Sequence, residues 1–146
     1  MGNKKKIKAF ILAVFMVIAI FNVHEVDTEA ASNNTTWALY YVQGGTSKTV
    51  GVYSIYTYGN GYKATCSDIN TNATAQKVTF SASTNSSFTG VGHVELNRNV
   101  VFSNSNTSLV FYPVVAPNVS VIYFKGTMTY NNATRVSMSG TIGINN

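Results

Sequence analysis

The segment VSVIYFKGTMTYNNATRVSMSGTIGI, residues 119–144, decides the fold class. In its first half Ile122, Phe124, Met128 and Tyr130 are apolar at even positions, with Lys125, Thr127 and Thr129 between them. In its second half Val136, Met138, Ile142 and Ile144 are again even, alternating with Arg135, Ser137, Ser139 and Thr141. A period of two belongs to a strand with one buried face. The two runs read as a hairpin, and residues facing each other across a hairpin share one side of the sheet. A two-residue Asn131-Asn132 turn would set Met128 against Arg135. A three-residue loop, Asn131-Asn132-Ala133, sets Met128 against Val136, Gly126 against Met138, Phe124 against Gly140 and Ile122 against Ile142. Large then meets small twice, and an aromatic ring over a cross-strand glycine stabilises a sheet. Such a loop needs a residue with positive φ, which Asn tolerates. The pattern selects the longer loop.

The same texture runs backward to residue 36. Val, Thr, Tyr and Phe alternate with turn clusters such as VQGGTS, DINTNAT, STNSS, SNSNTS and APN, at intervals typical of an antiparallel all-β domain. Strands are expected at 36–42, 48–58, 62–67, 76–83, 87–96, 99–103, 108–115, 119–130 and 134–144. The expected architecture is all-β, a single antiparallel β-sandwich of about seven to nine strands. The alternative is a small closed β-barrel. One domain covers 31–146, because no repeat or linker divides it.

Residues 1–30 read as a cleaved signal peptide. Lys4, Lys5, Lys6 and Lys8 precede the apolar run AFILAVFMVIAIF, and Thr28-Glu29-Ala30 offers small side chains to a signal peptidase. That run is shorter than the roughly 20 residues that cross a bilayer. The expected localisation is secreted, with no stable membrane insertion after cleavage. Beyond residue 30 the basic residues Lys48, Lys63, Lys77, Arg98, Lys125 and Arg135 face only Asp68 and Glu95, a net of +4. They are scattered singly, unlike a surface that tracks nucleic-acid phosphates. Cys66 is the only cysteine, so no intramolecular disulfide, zinc ribbon or dithiol pair is available. Stability must come from an apolar core.

The string Tyr58-Gly59-Asn60-Gly61 resembles the YGNG signature that opens pediocin-like antimicrobial peptides. The resemblance covers four residues, lies deep inside the chain and lacks that family's paired cysteines. Asn-Gly between two β-forming runs is also the strongest short hairpin signal. As a hairpin it would set Ile55 against Cys66, Thr57 against Ala64, Tyr56 against Thr65, and Tyr58 against Lys63 in a surface cation–π pair.

The inventory for catalysis is thin. His93 and Glu95 share one face of a strand in GVGHVELN, yet this is the one His of the mature chain, beside two carboxylates in all. The pair reads as a solvated strand face with Val94 and Leu96 inward. GTSKT lacks the glycine spacing of a phosphate loop. No catalytic residue, metal ligand or cofactor is expected, and the chain is read as a non-enzyme. Aromatics are the more suggestive class. Trp37, Tyr56 and Tyr58 with Lys63 form the candidate ligand-binding set, and the same rings would serve equally as core or cross-strand packing. SLVFYPVVAP is apolar on both faces and carries Pro113, which favours an edge. An uncovered apolar edge at 108–116 invites self-association. Two functions fit: an extracellular binding or matrix module for a cell-wall glycan or cell-surface ligand, or a secreted cationic antimicrobial protein or toxin.

Overall fold

β-branched and aromatic runs extend because their side chains pack on a pleated surface, and the Asn/Gly/Ser clusters between them break the pleat. The computed structural model describes residues 31–57 and 59–146. Among these, nine strands form: β1 (Asn34–Val42), β2 (Val50–Tyr56), β3 (Tyr62–Thr71), β4 (Ala75–Ser83), β5 (His93–Val94), β6 (Val100–Phe102), β7 (Thr107–Phe111), β8 (Val121–Asn131) and β9 (Arg135–Ile144). No α-helix occurs among the described residues. The leader expected at 1–30 lies outside them.

The strands make two antiparallel sheets. One has the order β1-β9-β3-β7, the other β2-β8-β4-β5, with β6 pairing β4 beside β5. Every expected strand exists, but the one expected at 87–96 shrinks to two residues. Phe88 and Gly90 have positive φ (55° and 70°), and a single 3-10 turn covers Gly90–Gly92, so the chain cannot remain extended there.

The hairpin expected at residues 119–144 does not form. β8 pairs with β2 and β4, whereas β9 pairs with β1 and β3 in the other sheet. The connection at 132–134 is an arch that carries the chain across the core, with Asn132 at φ 48°. The inward face is still the even one: Ile122, Phe124, Gly126, Met128, Val136, Met138, Gly140 and Ile142 are all buried. Alternation states which side of a strand meets the core, and that condition is the same for a hairpin and for two strands in facing sheets. The aromatic-over-glycine contact also exists, with different partners. Phe80 faces Gly126 across β4 and β8, and Trp37 faces Gly140 across β1 and β9.

The Asn60-Gly61 hairpin fails in the same way. β2 and β3 belong to different sheets, and the segment between them crosses from one to the other. Six of the eight connections cross, the exceptions being β4 to β5 and β5 to β6. Two crossings are tied at one end by Asn72. Its Oδ1 accepts from the Thr134 and Arg135 amides (3.1 and 3.0 Å), and its Nδ2 donates to Thr134 Oγ1 at 2.6 Å. One amide side chain thereby satisfies loop donors that a ladder would otherwise take.

Side chains from both sheets interlock in one cluster. Trp37 meets Phe80 edge-on at 5.4 Å, and Phe124 receives the edges of Tyr62 (4.9 Å) and Phe111 (5.7 Å). Each such ring contributes about 1.5–3 kcal/mol by burial, with roughly 0.5–1.5 more from edge-to-face geometry. The Trp37 indole passes over Gly140, and its Nε1–H donates to the carbonyls of Thr65 (3.0 Å) and Thr141 (3.2 Å). The Thr141 amide donates to Thr65 Oγ1 at 3.1 Å, and the β3–β9 register shifts just beyond, between Cys66 and Asp68.

The sheet edges are covered in part. At one rim Ser32 bridges Ile55 and Tyr40 bridges Lys48. At the other, residues 95–98 lie along the outer edge of β7 and its continuation. The Asn97 amide donates to Tyr112 O, the Val114 amide donates to Glu95 O, and the Tyr112 amide donates to Asn97 Oδ1, each at 2.9 Å. The backbone edge expected to be open at 108–116 is therefore occupied between residues 112 and 114, while its side chains stay exposed.

Candidate functional site

The end of β2 and the long connection from β7 to β8 build a cleft together. The Thr57 amide donates to Ser120 O at 3.0 Å, and Thr57 Oγ1 donates to Val119 O. Gly61 then brings the crossing against β7 with φ +81°. A Cβ there would stand 2.7 Å from Phe111 O and 3.2 Å from Tyr112 Cβ, so only glycine permits this approach. The Asn145 amide closes the crossing by donating to Gly61 O at 2.9 Å. On the far wall Pro113 and Pro117 fix φ, and Tyr112 is held at both backbone groups by Asn97.

The resulting cleft measures about 500 Å³ and is lined by Thr57, Gly59, Gly61, Tyr62, Tyr112, Pro113 and residues 116–120. Its size falls in the range of small-molecule sites, roughly 300–1,000 Å³. Tyr62 lies fully buried beneath, stacked near Phe111 at 6.0 Å. Tyr112 is 55 % exposed although its backbone is fixed. Among the described residues no charged side chain lines the cleft. Val114 (54 %) and Val115 (77 %) project from the same connection, an exposed apolar run beside the cleft walls.

Of the four residues singled out from the sequence, the three that are described are dispersed. Trp37 is buried in the core, with its one polar atom committed to two carbonyls, so it presents nothing to a ligand in solution. Tyr56 is half-exposed at the end of β2, next to Thr57 and opposite Val121. Lys63 is exposed on β3 between Val110 and Gly143. Tyr58 lies outside the described residues. Because β2 and β3 sit in different sheets, the ladder that would set Tyr56 against Thr65 is absent. A cation–π contact forms elsewhere, with Lys125 Nζ 4.7 Å from the Phe88 ring centre. Of the cleft residues, Thr57 carries no motif, whereas Asn118-Val119-Ser120 has the spacing of an Asn-x-Ser glycosylation acceptor. The apolar, proline-bearing run at 108–117 is the sequence signal for the neighbouring wall.

His93 and Glu95 are exposed, with Val94 buried and Leu96 half-buried between the strands. Among the described residues no three His, Cys, Asp or Glu side chains gather as a metal site. Cys66 is buried, and burial pushes its thiol pKa up, with the Asp68 carboxylate adding to the shift. A raised thiol is a poor nucleophile at neutral pH. No protein-family model matches the chain, and no curated protein or solved structure matches it either.

Proposed function

We propose that this chain is an exported, non-catalytic binding module. Its fold is read as a β-sandwich rather than a closed barrel, because the strands divide into two hydrogen-bonded sheets joined at their rims by short bridges. One observation carries the functional reading: a cleft of ligand size coincides with an exposed aromatic ring and an exposed apolar run on a connection whose backbone is pinned. Rigid presentation of apolar surface at a concave site is what binding modules use to limit the entropy lost on association. Export follows from the charged, apolar and small-residue sequence of positions 4–30. The surface bound is that of a cell or its wall.

The test mixes purified protein with whole cells and counts both bound protein and surviving cells. Retention on cells without loss of viability is expected. Killing at concentrations that saturate binding would favour the cationic antimicrobial or toxin reading, and absence of retention on any cell type would remove the binding reading.

A further inference from the structure

Resting on that binding reading, we infer that the cleft takes a neutral saccharide, with Tyr112 as its stacking platform. Three features of the cleft exclude the competing ligand chemistries. A charged ligand would lose hydration without meeting an opposite charge, because among the described residues no Asp, Glu, Lys, Arg or His lines the walls. A purely apolar ligand would cover the Thr57, Asn118 and Ser120 side chains and leave their polar atoms without water. A peptide that binds by strand addition needs a free strand edge. Here the nearby backbone groups are already bonded, Tyr112 N and O to Asn97 and Val114 N to Glu95.

A pyranose ring matches what remains. It has a C–H face for an aromatic ring and a rim of uncharged hydroxyls. The cleft supplies Tyr112, Pro113 and Pro117 as its apolar surface and Thr57, Asn118 and Ser120 as its hydrogen-bonding groups. Among the described residues the Asn118 amide and the Ser120 hydroxyl make no side-chain hydrogen bond. Thr57 Oγ1 spends its proton on Val119 O and keeps its acceptor capacity. The Tyr112 platform is preorganised, since both backbone groups are fixed before any ligand arrives.

The test is an amide-resolved NMR titration of the protein purified from an exporting host, with cellotetraose and chitotetraose as separate probes and a proline-rich decapeptide as a third. One oligosaccharide is expected to shift the amides of Thr57, Tyr112, Asn118 and Ser120 at millimolar concentration, about the range of a weak single-site complex. Tyr112→Ala keeps the Cβ that packs on Gly61 and should weaken binding about tenfold or more without moving the urea midpoint. Asn118→Ala should weaken it by a smaller factor. The inference is overturned if neither oligosaccharide shifts these amides, if the decapeptide shifts them instead, or if Tyr112→Ala binds like the parent. Whole-cell retention separates the two levels. Retention that Tyr112→Ala abolishes, with no oligosaccharide bound, removes the saccharide and leaves the binding module standing; no retention and no oligosaccharide bound removes both.

Discussion

Gly140→Ala tests whether the Trp37 indole threads over β9 as described. The added methyl would land on the carbonyl oxygen of Thr65 and 2.9 Å from Trp37 Cζ2. A carbonyl in a paired strand cannot swing aside, so either the ladder or the indole must move. Overpacking of this kind costs about 1–3 kcal/mol. If the indole moves, its N–H leaves Thr65 O and Thr141 O and becomes a buried donor without an acceptor, a further cost of about 1–3 kcal/mol. The lower chain entropy of the unfolded alanine variant returns about 0.4–1 kcal/mol. The net expectation is about 3–4 kcal/mol, a large part of the roughly 5–15 kcal/mol that holds a small domain folded. Gly126→Ala is the internal comparison. Its methyl would meet the Phe80 ring at 2.9 Å and Leu39 Cδ1 at 3.5 Å, and a ring edge can yield by a few tenths of an ångström. That variant should lose only about 1 kcal/mol. Ser139→Val, on the outer face, should change stability by no more than about 0.5 kcal/mol. Urea unfolding followed by fluorescence reads all three, because Trp37 is the only tryptophan and reports the region directly. A Gly140→Ala cost no greater than that of Gly126→Ala would refute the threaded indole.

Two further outcomes follow from buried or capped groups. Burial raises the Cys66 thiol pKa, so the folded state favours the neutral form; stability is fully present below the unfolded thiol's pKa and declines as pH rises through the ordinary thiol range toward the folded value. The urea midpoint of the parent should therefore fall more steeply than that of Cys66→Ala as pH rises above about 8.5, and equal slopes would contradict the burial. Asn97→Ala removes the side-chain acceptor that caps the Tyr112 amide, opening part of an apolar edge to a second copy. Light scattering should show concentration-dependent association of this variant beyond that of the parent, and identical profiles would show that the edge is not held shut by Asn97.

The sequence by itself determined the all-β character, the locations of eight of the nine strands and the inward face of the strands at 121–131 and 135–144, because local propensity and a period of two depend only on near neighbours. It also singled out an Asn in the 131–133 loop for positive φ, met by Asn132, and the proline-bearing run that became one wall of the cleft. Which strands pair was decided by tertiary structure. Phe124 meets Tyr62 and Phe111 from the opposite sheet rather than Gly140 beside it, since burying seven large rings takes two facing surfaces. The site followed from that choice. Trp37 was claimed by two carbonyls in the core, and Tyr56 parted from Lys63 once β2 and β3 entered different sheets. Thr57 met Ser120, 63 positions along the chain, only because the end of β2 lies against the connection leaving β7. No periodicity encodes a contact of that range, for it exists only when both sheets close on one core.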